Sequence, residues 1–218
     1  MYIREATAKD NLELQALQAR CPQGKTLIVS TVNTPDFFAR AKAYEDCKVY
    51  VACEDTRIIG SAACAVRDAI INGKIVKAGH EFQLFVDPEY RGKRIAGQLH
   101  QVSENYLRER GAILSYALII EGNTPSIHHF TRQDFKLHRT LVMPCIAVFK
   151  EMQAVSRGKV RSITQEDLTS VAGLLNETWQ GYELYESATA ESLTKLFERM
   201  PSFSYDNVFV LEDKSQIM

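Results

Sequence analysis

No run in this chain approaches the roughly 20 consecutive apolar residues that a membrane helix needs, so no membrane partner is expected. The opening residues Met1–Glu5 lack the apolar core of a signal peptide and read as a strand, which points to a cytoplasmic protein. An excess of charge of one sign is also missing. Lys plus Arg number 26 against 27 Asp plus Glu, a formal net charge of −1, which speaks against a broad basic face and against nucleic acid as a partner. Any cationic site must be local. Glycine (11 residues) is too scarce for a fibre, and with 6 prolines and 45% hydrophobic residues the chain is not a disordered one. The cysteines are five, an odd number: Cys21, Cys47, Cys53, Cys64 and Cys145. None sits in a CxxC pair or at ligand spacing from a histidine, so they read as buried thiols of a reducing compartment, and no metal is expected.

What is present is enough apolar sequence for one full domain and part of a second. Ile3–Ala6 reads as a strand. Thr7 and Asp10 open an amphipathic helix with apolar positions Leu12, Leu14 and Leu17, and Pro35–Glu45 reads as a second helix. The pattern then turns to β-branched and aromatic runs at Val49–Cys53, Ile58–Val66 and Ile75–Val86, with Asn72-Gly73 as a strong hairpin signal. Asp87-Pro88 ends the third of these. Ile95, Leu99, Val102 and Tyr106 form one stripe of a helix that Gly111 closes. Ile113–Ile120 is a nearly unbroken apolar run, which predicts a central strand covered on both faces. Asn123, Thr124 and Pro125 supply the cap and first turn of a short helix reaching about Arg132, and Leu141–Lys150 reads as a last strand.

The end of the chain repeats its beginning. Val160–Asp167 lies over Ile3–Asp10 with Arg, Thr and Asp identical, at an offset of 157; Val208–Leu211 lies over Val49–Ala52 at an offset of 159. The expected layout is a first module over 1–152, a linker over 153–159, and a partial second module over 160–218 (strand, helices, strand). On that reading the chain stops where the copy's third strand begins.

The stretch Glu81–Gly97 is the most informative. It predicts a strand, a tight basic turn and a helix N-terminus, whose first amides have no partner inside the helix and carry partial positive charge. A diphosphate fits such a place. Gly92, Ala96 and Gly97 keep side chains out of its way, while Arg91, Lys93 and Arg94 add cationic donors. The turn is neither a Walker loop nor a dinucleotide fingerprint, since GxxxxGK[ST] and GxGxxG are both absent. Val86-Asp87-Pro88-Glu89-Tyr90-Arg91-Gly92-Lys93-Arg94-Ile95-Ala96 does resemble the acetyl-CoA signature [RQ]xxGx[GA] of the GNAT N-acetyltransferase superfamily. Asn123–Phe135 is similar to that family's second motif, NxxAxxFYxKxGF, and the order of elements over about 1–150 matches as well.

This resemblance implies an α/β fold of GNAT type: a mixed, mostly antiparallel central sheet flanked by helices, with the partial repeat at the C-terminus. It implies acetyl-CoA as acyl donor and direct transfer to a primary amine, on a small molecule or a peptide, without a covalent enzyme intermediate. Coenzyme contacts are implied at Leu84, Phe85, Val86, Arg91–Gly97, Asn123, Ser126 and Phe130. An amide of Leu84, Phe85 or Val86 would meet the negative charge that develops on the thioester oxygen. Glu81 stands where many members carry the base that deprotonates the amine, with His80 as the alternate.

The departures matter too. Arg94 replaces the signature's first glycine, and its backbone donors survive most easily if φ there is negative. Asp134 replaces a late glycine. Phe130 stands in place of the tyrosine that protonates the departing thiolate, and a phenyl ring has no proton to give. A thiol of pKa about 8.5 leaves tolerably as the thiolate, and Tyr116, His128 or His129 could substitute as the acid. Cys145 has no evident base partner and reads as structural. The rival reading, motivated by Phe130 and Arg94, is a CoA-binding regulatory module with little or no turnover. Acceptor identity and oligomeric state, a homodimer included, stay open.

Overall fold

The computed structural model describes residues 1–25, 28–144, 147, 149, 158–200, 204–213 and 216–217. Five strands form the first sheet: β1 (Tyr2–Glu5), β2 (Asp46–Glu54), β3 (Arg57–Ile71), β4 (Lys74–Val86) and β5 (Leu114–Ala117). They lie side by side in sequence order. Every pairing is antiparallel except the last, where β5 runs parallel to β4 because a crossover helix intervenes. The expected mixed, mostly antiparallel sheet is present.

Helices α1 (Asn11–Ala19) and α2 (Ala39–Lys42) serve one face and α3 (Ile95–Glu109) the other; α4 (Thr124–Thr131) follows β5. On the first face Leu14, Leu17 and Phe37 pack with Val51, Phe82 and Phe85. On the second, Ile95 and Leu99 pack with Ala52, Ile59 and Ala62, and Leu107 with Cys64 and Val66. Gly79 is required there: a Cβ on it would stand 2.6 Å from the Leu107 side chain. No helix of the described residues is long and apolar enough to cross a membrane.

Local signals hold where chemistry forces them. Asn72 and Gly73 both take positive φ (49° and 71°) and turn β3 into β4 with the twist a two-residue hairpin needs. Gly111 (φ 81°) ends α3, its amide bonding to the Arg108 carbonyl while that of Ala112 reaches Leu107. Of the five cysteines, Cys21, Cys53 and Cys64 are buried free thiols and Cys47 is half-buried; Cys145 lies outside the described residues.

Four expectations need correction. Pro35–Glu45 yields only the single turn of α2, because Pro35–Phe38 are spent on a turn fixed by Asn11 and Asp36 side chains. Leu12 is exposed, as α1 buries the narrower stripe of Leu14, Leu17 and Gln18. Ile113–Ile120 is no central strand: only Leu114–Ala117 pairs, at the sheet's edge, with Ile113 and Leu118 exposed. A continuous apolar run implies cover on both faces only when a further strand lies outside it, and none does among the described residues. Of Leu141–Lys150, the described residues 141–144, 147 and 149 lie in no strand; the rest of that expected strand is outside the described residues.

A second sheet holds β6 (Lys159–Ser162), β7 (Phe209–Asp213) and β8 (Gln216–Ile217) in that order, with α5 (Leu168–Thr178) and α6 (Ala190–Arg199) between β6 and β7. The pairs Tyr2↔Cys53, Ile3↔Ala52, Arg4↔Val51 and Glu5↔Tyr50 of β1 and β2 correspond one for one to Lys159↔Glu212, Val160↔Leu211, Arg161↔Val210 and Ser162↔Phe209. The segment between α5 and α6 also reaches back to the first sheet. There the Ile70 amide donates to the Tyr185 carbonyl (2.8 Å), the Leu184 amide to the Ile70 carbonyl (2.9 Å), and an Arg67 Nη to the Leu184 carbonyl (2.5 Å).

Candidate active site

The turn between β4 and α3 is held from below by Asp87. Its carboxylate is buried, accepts from the Glu89 amide (3.2 Å), and lies 3.0 Å from an Arg20 nitrogen and 2.9 Å from Arg57. Burial alone would raise its pKa; the amide and the two guanidinium groups outweigh that and hold the group below the usual carboxylate range. Above this anchor Arg91, Gly92, Lys93 and Arg94 are exposed. Lys93 rests over the Tyr90 ring at 4.5 Å.

Arg94 is the N-cap of α3 and takes the left-handed conformation (φ 62°, ψ 16°). The negative φ that would spare it strain is not adopted. The residue accepts the geometry a glycine would take freely, at a cost of about 1–2 kcal/mol. The amides of Ile95, Ala96 and Gly97 open the helix without intrahelical partners, and a Cβ on Gly97 would meet nothing within 4 Å.

In front of this helix end the sheet forks. The parallel register of β4 and β5 runs from Ala78↔Leu114 to Glu81↔Ala117 and stops there, while β4 continues to Val86. At the fork β4 is also bulged: Gln83 takes φ 51°, and the pairing with β3 shifts between Ser61↔Phe85 and Ala63↔Phe82. The amides of Leu84, Phe85 and Val86 thus lie on a bulged strand beyond the end of its parallel partner.

Two polar clusters flank the fork, one on each face. On the α1/α2 face His80 stacks on Tyr116 (ring centroids 4.7 Å apart, planes within 6°), and its Nδ1 is 2.7 Å from the Tyr44 hydroxyl. The Nε2 of His80 is buried with no hydrogen-bond partner. Two cations border this stack, with Arg40 over Phe82 at 4.7 Å and Arg67 over Tyr116 at 5.6 Å. Burial first, and then these two arginines, lower the His80 pKa to about 4, so the ring is neutral at neutral pH. Burial raises the Tyr116 pKa, so its hydroxyl keeps its proton.

On the α3 face Glu81 is buried, and its Oε2 lies 2.8 Å from Nδ1 of His100. Burial works against a charged imidazole, yet Glu81 raises the His100 pKa overall. His129 meets His100 edge to face at 5.3 Å, and burial followed by that neighbour lowers its pKa. The Phe130 ring is buried against His100 and Phe135, at 5.7 and 4.9 Å. Asn123 caps α4, accepting from the Ser126 amide (3.3 Å) and donating to Gln23 (3.2 Å).

Alternation along β4 therefore sends the two residues expected near the base to opposite faces: His80 to the aromatic cluster with Tyr116, Glu81 to His100. Sequence reading missed Tyr44, Arg40, Arg67 and His100. Only His100 left a signal, since it shares a helix face with Ser103 and Leu107, both buried. Among the described residues no group of three or more His, Cys, Asp and Glu could hold a metal ion.

Comparison with known proteins matches residues 13–135, more than half of the chain, to the sequence model of the "Acetyltransferase (GNAT) family". Among solved structures, an aminoglycoside antibiotic 6'-N-acetyltransferase from Acinetobacter haemolyticus is similar at 14% identity and a TM-score of 0.54, covering 68% of this chain and 100% of its own. A transcriptional regulator from Bacillus halodurans C-125 is similar at 18% identity and TM-score 0.53 (66% of this chain, 99% of its own). An acetyltransferase from Trypanosoma brucei stands at 18% identity and TM-score 0.52 (66% and 99%). At such identities the likeness is one of fold. No curated protein matches the sequence.

Proposed function

Since the chain belongs to the GNAT acetyltransferase family, we propose that it transfers an acetyl group from acetyl-CoA directly to a primary amine. The observation that carries this is the alignment of three features: the partnerless amides of Ile95–Gly97, the basic turn at Arg91–Arg94, and the fork where β5 leaves β4. The residues fit the donor. A diphosphate on the α3 amides would gain several hydrogen bonds together with Arg91, Lys93 and Arg94. Its pantetheine arm would lie along the edge of β4 beyond Glu81, which is unpaired among the described residues, between Leu84–Val86 and the α4 side with Asn123, Ser126 and Phe130.

The donor supplies a thioester carbonyl, at which a C–N bond to the amine forms as the C–S bond breaks. The amine's proton passes to a base beside the fork. His80 has a buried, unpartnered Nε2 and Glu81 a buried, unpartnered Oε1; we assign the base to His80, which lies on the face that also carries Tyr116. An amide of the bulge meets the oxyanion. Tyr116 keeps its proton and is the group we assign to the departing thiolate; His129 is held neutral by burial and His100. Residues 160–218 we read as the opening part of a second module of the same kind, on the strength of its matching strand register.

Calorimetry with CoA, followed by thiol release from acetyl-CoA over an amine panel, tests the reading. Saturable binding lost about tenfold or more in Arg91→Glu is expected, with turnover. No binding at millimolar CoA sinks it. Binding without turnover on any amine leaves the CoA-binding module without catalysis, the reading that the burial of Phe130 in an aromatic cluster favours.

A further inference from the structure

The α1/α2 face of the fork carries cations where an amine acceptor would dock. Register places Ala65, His80 and Tyr116 in one row across β3, β4 and β5, and Arg67, Ala78 and Leu114 in the next row, away from the fork. Rows on one face are two residues apart, about 7 Å. Arg67 thus stands about one such step beyond His80, and Arg40 covers Phe82 on the fork side. Arg40 has no ion-pair partner among the described residues. The Nε of Arg67 is buried without a hydrogen-bond partner.

The acidic groups nearby are engaged elsewhere. Asp68 goes to Lys77 at 2.7 Å and Glu45 to Arg199 at 2.8 Å, which leaves Glu186, 3.9 Å from Arg67 and too far for a hydrogen bond. A polyamine entering here would meet like charge. An amine that also carries an anion would meet two guanidinium groups over an aromatic floor, and those same cations would help its ammonium shed a proton.

We propose that the acceptor is an amine bearing a carboxylate several atoms away, the amine set at His80 and the carboxylate on Arg67 in the place Glu186 now approaches. This rests on the acetyltransferase reading above. Glu186 comes from the segment that follows α5, so the C-terminal region supplies one wall of the acceptor site and competes with the substrate's anion. A charge-assisted pair is worth about tenfold or more in affinity.

The test compares 4-aminobutyrate and 6-aminohexanoate with butylamine, hexylamine and spermidine as acceptors for acetyl-CoA, by thiol release and by calorimetry with CoA present. The amino acids are expected to exceed the matched alkylamines about tenfold in kcat/KM, chiefly through KM. Arg67→Met should shrink that ratio several-fold, more than the exposed Arg40→Met on the other side of His80, Arg67→Lys should restore part of it, and Glu186→Gln should lower the KM of the amino acids. A ratio near one, a preference for spermidine, or a ratio unmoved by Arg67→Met overturns the proposal while leaving acetyl transfer intact. If no acceptor turns over, calorimetric binding of 6-aminohexanoate but not hexylamine still supports the anion site, and its absence ends it.

Discussion

In the first sheet Arg4 grips Asp10 with both guanidinium nitrogens (2.7 and 2.8 Å), and the same carboxylate accepts from the Thr7 amide (2.7 Å) and hydroxyl (3.0 Å). In the second, Arg161 grips Asp167 at 2.6 and 2.9 Å, and Thr164 gives its amide (2.8 Å) and hydroxyl (3.0 Å). The amides of Ala6 and Ile163 reach the matching carbonyls of Val49 and Val208 at 2.8 and 2.9 Å. The two regions share a bracket that locks a strand to the helix after it. They differ in surroundings: the first bracket lies beside a five-stranded sheet, whereas the second lies beside a three-stranded one and its Arg161 also pairs with Glu212. The first region also continues into β4 and the basic turn, which the described part of the second does not. A strand, a capped helix and a hairpin make a scaffold; the proposed ligand site needs the fork and helix end that follow.

The comparison can be broken most forcefully at the turn. Replacing Asp87 by Ala should cost about 3 kcal/mol, because the buried partner of Arg20 and Arg57 is removed. CoA binding should fall with it. Hydrogen exchange should show the loss in β3, β4 and α3 while β6 and β7 keep their protection; equal loss in both sheets would mean that they unfold as one unit.

Acid should separate the regions next. All five histidines precede residue 139. His80 has a folded pKa of about 4 against an unfolded value near 6.5. Above pH 6.5 both states are neutral, and below it only the unfolded chain takes the proton. Stability of the first sheet should therefore fall by up to about 1.4 kcal/mol per pH unit down to about pH 4. Denaturation across that range should flatten in His80→Asn. His100 works in the opposite sense: its raised pKa contributes stability below 6.5 that is lost as pH climbs through the folded value.

The matching brackets offer a smaller and cleaner contrast. Arg4 holds the Asp10 pKa down to about 2, and Asp10→Ala should cost about 2 kcal/mol by denaturation. Asp167→Ala should cost less, since Arg161 keeps a second carboxylate partner in Glu212 at 2.6 Å. The reverse order would show that the second sheet depends on its bracket more than the first does. Last, Arg94→Gly relieves a left-handed arginine and should be neutral to about 1 kcal/mol stabilising, with a modest loss of CoA affinity by calorimetry.

Signals written in short chemistry were legible. The Thr–Asp brackets, Asn72-Gly73, Gly111 and the Asn123 cap each satisfy a backbone requirement within a few residues, so spacing alone announces them. The Ile113–Ile120 run misled because apolarity reports a preference for burial without saying what covers it. Glu81 and His80 could not be ranked: adjacent strand residues face opposite ways, and which face holds the acceptor depends on helices far away in sequence.

By itself the sequence determined the order of the main strands and helices of the first sheet and the turn with its basic residues, because hydrogen-bond caps, φ preferences and apolar periodicity act over a few residues. Only the tertiary structure decided that β5 leaves β4 after Glu81, that Asp87 is clamped by Arg20 and Arg57, and that His80 sits between Arg40 and Arg67. Those arrangements join groups tens of residues apart, and their pKa values and partners exist only once packing has excluded water around them.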